Sequence, residues 1–292
     1  MADARFYPQA NFASLDEEDS SFERSRVVVL PVPYDSTVTA RAGTRDGPRA
    51  IIEASADMEL FDVGLGIEPW RHGIHTLPEL APHTGSPEAM AERIESVVGE
   101  LLDAGKFVVT LGGEHTVAGG AVRAHAKRTP GLSVLAFDAH SDMRDEYLDS
   151  KFNHACTLRR AHEHAPVTQV GLRSASWEDA AFVREQGLAF YSPREFRQAG
   201  ADAVAARLSD AVYITIDLDN FDPSEMSAVG TPEPGGLHWD EVCDLLIAVT
   251  RTKRVVGFDV TELSPSLGPR SCAQLAAKLT YRLIGLALGP VE

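Results

Sequence analysis

The sequence predicts a three-layer α/β/α domain built on a mostly parallel central sheet. Two observations carry that prediction. Short β-branched runs alternate with segments whose apolar residues recur at helical spacing, the pattern of repeated β-α-β units. The polar groups able to do chemistry follow those runs directly, where the carboxyl ends of parallel strands open. At 292 residues the chain is long for one domain but within the range of a single large one, and no low-complexity linker or fixed-period repeat divides it. One domain over 1–292 is expected, with the polar, acidic residues 1–25 forming an arm laid over the body.

The first strand is read at Arg26 to Pro31, a β-branched run closed by Pro31 and Pro33. A loop from Tyr34 to Pro48 leads to a helix over Arg49 to Leu60, with Pro48 at its start. Gly64 to Gly85 is rich in Pro and Gly and reads as loop, with a short strand near His75. Ser86-Pro87-Glu88 combines a capping hydroxyl, a proline in the first turn and an early carboxylate, and Gly105 ends the helix it opens. Strand Phe107–Leu111 runs into Gly112-Gly-Glu-His-Thr116, and a helix over Gly119–Lys127 leads to the apolar strand Val134–Phe137. Beyond the next loop come strand Thr168–Gly171, helix Trp177–Gln186, strand Leu188–Tyr191 and helix Asp202–Leu208. Strand Val212–Ile216, helix Trp239–Thr250, strand Val255–Phe258 and an amphipathic helix after Cys272 complete the chain.

Composition narrows the function. A net charge of -16 argues against nucleic acid, which needs clustered Lys and Arg; it fits a small cationic substrate, although most of those charges read simply as a soluble acidic surface. Three widely spaced cysteines form no CxxC, so a reducing cytoplasm is the expected home. Met1 to Pro8 has no apolar core of signal-peptide type, and the last helix carries Lys278 and Arg282, so no membrane partner is expected.

The chemistry is concentrated in Asp138, His140 and Asp142, which follow the strand Val134–Phe137 at spacings that share one face of an extended backbone. Asp217 and Asp219 follow Val212–Ile216 in the same manner, and His115, Asp259 and Glu262 follow two other strands. A lone DxH or DxD is commonplace in turns and caps, but the two sets together, each after a buried strand, point to one site. Two carboxylates about 4 Å apart repel by roughly 4 kcal/mol at an effective dielectric of about 20. Four crowded aspartates therefore ask for cations among them. Four Asp and two His suit two metals sharing carboxylates. This oxygen-rich, thiolate-free set favours Mn(II) and leaves Fe(II), Co(II), Ni(II) and Zn(II) open. A metal pair roughly 3.5–4 Å apart lowers the pKa of a shared water, so the reaction class is metal-assisted hydrolysis.

Gly112-Gly-Glu-His-Thr116, Phe137-Asp-Ala-His-Ser-Asp142, Asn153-His154, Ile216-Asp-Leu-Asp219, Gly230-Thr-Pro-Glu-Pro-Gly-Gly-Leu237 and Asp259-Val-Thr-Glu-Leu-Ser-Pro265 together resemble the ureohydrolase family of arginases, agmatinases and relatives. The likeness runs from about Val27 to the final helix. It implies the arginase-like fold, a dinuclear manganese site with two Mn2+ per chain, and homo-oligomers, trimers or hexamers. By motif position, His115 and Asp142 would hold the first metal, His140 and Asp219 the second, and Asp138 and Asp217 would bridge. Asp142 would also accept a proton or hydrogen bond from the bridging hydroxide, Glu262 would grip the guanidinium, and His154 would shuttle a proton. The chain departs from the family pattern at Glu114, where Asp is usual, and at Ala155 and Cys156, where Gly is common.

The resemblance implies attack of that hydroxide on a guanidinium carbon, giving urea and an amine. Where arginases carry an Asn after the last ligand of DxHxD, this chain has Arg144. Asp145, Glu146 and Asp149 beyond it suggest an acidic rim for an ammonium tail. Agmatine, yielding putrescine, is the first expectation. N1-aminopropylagmatine, yielding spermidine, comes next, and Arg144 keeps guanidinobutyrate and arginine open. Single-zinc deacetylases of similar fold need no paired Asp-rich set, and binuclear phosphoesterase motifs are absent. His125, His162 and His164 are expected to be exposed on helices.

Overall fold

Every strand pairing within residues 10–291, which the computed structural model describes, is parallel. The strands are β1 (Val27–Val32), β2 (Ile74–Thr76), β3 (Phe107–Gly112), β4 (Ser133–Phe137), β5 (Val167–Val170), β6 (Ala189–Tyr191), β7 (Ala211–Asp217) and β8 (Arg254–Thr261). The helices are α1 (Glu17–Ser20), α2 (Gly47–Ser55), α3 (Pro87–Asp103), α4 (Thr116–Arg128), α5 (Thr157–His162), α6 (Trp177–Gln186), α7 (Pro193–Ala199), α8 (Ala201–Ala205), α9 (Trp239–Thr252) and α10 (Arg270–Leu288). All eight strands form one sheet in the order β2-β1-β3-β8-β7-β4-β5-β6. The chain builds outward to one edge, crosses a gap to build toward the other, and returns with β7 and β8 to fill the centre.

Strand alternation divides the core into two layers. Val27 and Val29 of β1 pack on one face, and Val28, Leu30 and Val32 on the other. The first layer is closed by Ile51 of α2, Leu245 and Val249 of α9, and Leu279 and Leu283 of α10. Met90, Ile94 and Val98 of α3, Val117 and Val122 of α4, and Leu158 of α5 close the second. Both faces of every central strand are thus covered, which is why these strands read as continuous apolar runs. The start of α3 forms as its sequence directs: Ser86 Oγ accepts the Ala89 amide at 3.1 Å, with Pro87 in the first turn.

Several features differ from expectation. Residues 1–9 of the arm lie outside the described residues. Further along, Phe12, Ala13 and Leu15 are buried in the first core layer, so that part of the arm belongs to the core. Helix α7 was not anticipated, although Ser192-Pro193 and Glu195 form a complete capping box there. β8 continues past Phe258 through Asp259 to Thr261. His125 is not exposed: it is 1% accessible, its ring centroid 4.6 Å from that of Tyr213 and its Nδ1 2.9 Å from the Ala121 carbonyl. The face of α4 that carries it lies against the sheet, and α4 is buried from Thr116 to Val122 and again at Ala124 and His125. His162 is half-buried against Phe182, and His164 is exposed just beyond α5.

Candidate active site

The four adjacent central strands β3, β8, β7 and β4 deliver the candidate residues to one crevice at their carboxyl ends. His115 follows β3 through a turn only glycine permits: a Cβ on Gly113 would sit 2.2 Å from the Tyr34 carbonyl oxygen. Asp217 is the last residue of β7, and its Oδ1 accepts the Asp219 amide at 2.8 Å, folding Leu218–Asn220 into a single tight turn. Glu262 follows β8 in the left-handed region, with φ of 69°. Asp138, His140 and Asp142 follow β4, but regular extension ends at Phe137 and Asp142 has φ of 47°. A left-handed kink therefore aims Asp142, where strand alternation was expected to.

The ligand atoms form two overlapping groups, His115 with Asp138 and Asp142, and Asp138 with His140 and Asp219; within each, one ligand atom per residue lies within 4.8 Å of the others. His115 Nδ1 is 2.9 Å from Asp142 Oδ2, 3.1 Å from Asp138 Oδ2 and 3.6 Å from Asp217 Oδ2. His140 Nδ1 is 2.8 Å from Asp219 Oδ2. Asp217 stands beside the first group without joining either.

Protons alone serve this arrangement poorly. Thr215 donates its one hydroxyl hydrogen to Asp259 Oδ1 at 2.7 Å, so at 2.9 Å it accepts from His115 Nε2. In the neutral ring, that leaves the Nδ1 lone pair facing three carboxylate oxygens, an arrangement that requires positive charge between them. Asp138 Oδ2, fully buried, makes no hydrogen bond. Burial, reinforced by Asp142, raises the Asp138 carboxyl to about 7. Burial, with Asp219 and Asp138 as neighbours, raises Asp217 well above the carboxylate range. Burial works against protonation of His140, but Asp219 outweighs it and pulls the imidazole up to about 10. Each shift marks a place where a cation is favoured, and this donor set fits two borderline divalent ions.

A cavity of about 290 Å³ opens onto these groups. Its wall includes His115, His140, Asp142, Asp217, Asp219, Glu262 and His154. Glu262 Oε1 accepts the His115 amide at 2.7 Å, which points its carboxylate across the cavity floor. His154 is held by the segment after β1, its amide donating to Thr37 Oγ1 at 2.9 Å. Burial keeps its imidazole below the ordinary histidine value.

Asp145 and Glu146 do not reach this cavity. Asp145 instead pairs with Arg160 at 2.7 Å and Lys151 at 3.4 Å, and the left-handed residues Leu148 and Asp149 turn the segment away. The segment meets the cavity through Arg144 and Tyr147, the guanidinium 4.7 Å from the centroid of the ring. Asp179 lines the cavity in place of Asp145 and Glu146. Its Oδ2 accepts from Ser141 Oγ at 2.7 Å, and it is the one lining carboxylate outside the candidate ligands and Glu262. Sequence reading missed Asp179 because it also completes the capping box of α6 with Ser176. Thr37 and Thr39 lie in a loop that offers no periodic signal.

The chain is similar to known proteins over nearly its whole length. The sequence profile of the Arginase family matches residues 25–285. The N(1)-aminopropylagmatine ureohydrolase of Synechocystis sp. is 38% identical over 279 residues, covering 92% of this chain and 91% of that protein. An agmatinase of Pyrococcus horikoshii is 32% identical over 262 residues, covering 89% and 91%. The crystal structure of the agmatine ureohydrolase of Thermoplasma volcanium superposes with a TM-score of 0.87 at 32% identity, covering 97% and 96%. A parallel sheet with two overlapping ligand groups at its centre, matched over nearly its whole length, places this chain in the Arginase family.

Proposed function

We propose that the protein hydrolyses the guanidino group of agmatine or its N1-aminopropyl derivative, releasing urea and the corresponding amine. The observation that carries this reading is the pair of ligand groups sharing Asp138 in one cavity with Glu262. His115 and Asp142 would hold one divalent ion and His140 and Asp219 the other, with Asp138 between them and Asp217 alongside. Two such ions, Mn2+ first among them, would supply a nucleophilic hydroxide near neutral pH.

The remaining steps belong to the chain. Glu262 accepts the guanidinium N–H groups in a charge-assisted pair and fixes the carbon over the ligand groups. Burial, with Glu114 nearby, raises the Glu262 carboxyl, and the incoming cation supplies the opposing charge. Asp142, 2.9 Å from His115, is placed to accept a proton at the same spot. His154 delivers a proton to the departing amine nitrogen as the carbon–nitrogen bond breaks. Asp179 faces the substrate tail and takes over the ammonium-binding task first assigned to Asp145 and Glu146. The higher identity to the aminopropylagmatine ureohydrolase favours the longer substrate. Arg144 on the wall makes a carboxylate-bearing tail, as in arginine or guanidinobutyrate, the alternative. A reducing cytoplasm fits the three buried free cysteines, and the homo-oligomer implied by resemblance completes the proposal.

Urea release by Mn2+-loaded protein tests the reading. N1-aminopropylagmatine is expected to give the highest kcat/KM, agmatine to follow, and arginine and guanidinobutyrate to trail. Asp179→Asn should raise KM for the amine-tailed substrates about tenfold with little change in kcat, as for one lost charge-assisted hydrogen bond. No urea from any of the four, or arginine as the best substrate, would refute it.

A further inference from the structure

Glu114 is a fully buried carboxylate that belongs to neither ligand group and does not line the cavity. Two donors converge on it, the Thr37 amide at 2.8 Å and the Thr37 hydroxyl at 2.8 Å. As a carboxylate Glu114 only accepts, and it satisfies both together. Thr37 has one hydroxyl hydrogen, and Glu114 takes it. The lone pairs of Thr37 Oγ1 are then left to accept, and the His154 amide donates to them at 2.9 Å. Thr116 Oγ1 lies 3.2 Å from the same oxygen. The His154 ring spans the next gap, with Nδ1 3.4 Å from Thr37 Oγ1 and Nε2 3.3 Å from Thr39 Oγ1 on the cavity wall.

We infer that Glu114 is a positioning residue for the reaction, acting through Thr37 to set the tautomer of His154 with its hydrogen on Nδ1 and its lone pair on Nε2. The inference rests on the proposal that His154 carries a proton at this site. A hydroxyl both donates and accepts, so Thr37 alone would serve either tautomer. The buried carboxylate behind it removes that choice. With the hydrogen on Nδ1, the nitrogen on the cavity side is the one that takes up and hands over a proton. The opposite tautomer would close that nitrogen.

Glu114→Gln reverses the polarity without changing size. With the glutamine carbonyl on the Thr37 amide, its NH2 donates to Thr37 Oγ1 and turns the hydroxyl hydrogen toward His154 Nδ1. Solid-state 15N NMR of histidine-labelled, metal-free protein, well above neutrality, reads the tautomer directly, and a His154→Asn sample identifies the signals. Wild type should show protonated Nδ1 and unprotonated Nε2, Glu114→Gln the reverse, and Thr37→Val a mixture. In the Mn2+-loaded enzyme, Glu114→Gln and Thr37→Val should lower kcat about 10–100-fold with KM within about twofold, and Thr37→Ser should restore most of it. Unmoved His154 nitrogen signals in both Glu114→Gln and Thr37→Val would overturn the relay. An undiminished kcat in His154→Asn would instead remove the proton-carrying role, so the two failures are distinguishable.

Discussion

At the scale of single residues, the candidate centre depends on side chains that never touch substrate. Asp259 sits inside β8, accepts the Tyr213 hydroxyl at 2.8 Å and the Thr215 hydroxyl at 2.7 Å, and so leaves Thr215 as the acceptor for His115 Nε2. That chain holds the Nδ1 lone pair of His115 toward the carboxylates, the orientation a metal ligand needs. Thr215→Val keeps the shape and removes the acceptor. Mn2+ affinity measured by calorimetry is expected to fall about 10–100-fold, with the fold preserved by circular dichroism. Asp142 and Glu262 add a second cost, since each occupies left-handed backbone that disfavours a side chain by about 1–3 kcal/mol. Both are candidate site residues, and the packed sheet beneath them holds them there. Neither kink was legible in the sequence, because Asp and Glu carry no mark of the backbone they adopt, whereas a glycine would have.

At the scale of elements, the contact between α4 and the sheet is the most revealing. His125 of α4 presses on β8, and a Cβ added at Gly257 would meet His125 Nε2 at 2.4 Å. Burial lowers this imidazole to about 4, below its unfolded value near 6.5. Between those two values the unfolded chain binds a proton that the folded chain refuses. Stability therefore falls as pH drops from about 6.5 to 4, by up to roughly 3 kcal/mol. In His125→Leu, denaturant titrations across that window should show the slope of unfolding free energy with pH reduced by about one proton relative to wild type. The strands of this layer were readable as β-branched runs. The burial of His125 was not, since a histidine among alanines on a helix gives no sign of which face turns inward. Likewise α7 announced itself only through its cap, being too short to show periodicity.

At the scale of the whole molecule, the sheet gathers carboxylates from β4, β7 and β8 beside the His115 that follows β3 into one crevice, and mutual repulsion there works against folding. Bound divalent ions should reverse that balance. At a concentration about 100 times the dissociation constant they add roughly 2.7 kcal/mol, and chelation should lower Tm by about 5–10 °C, with Mn2+ restoring it. A chelator-insensitive Tm would contradict the assigned ligands. The α/β class and the clustering of polar groups at strand ends were legible because each motif directly follows its strand. The order of strands was not, because sequence neighbours are expected to lie side by side. Here β3 and β4 are separated by the two strands that arrive last.

That late arrival has a consequence for how the protein is made. A ribosome that has translated as far as residue 205 has produced β1 to β6, with β3 and β4 on either side of an unfilled slot and with Asp217, Asp219 and Glu262 not yet synthesised. The crevice is complete only when β7 and β8 occupy the places between β3 and β4, pairings that join segments far apart in the chain. Copies that stop before β7 lack Asp217, Asp219 and Glu262 altogether, so the assembled crevice is a property of chains translated through β8.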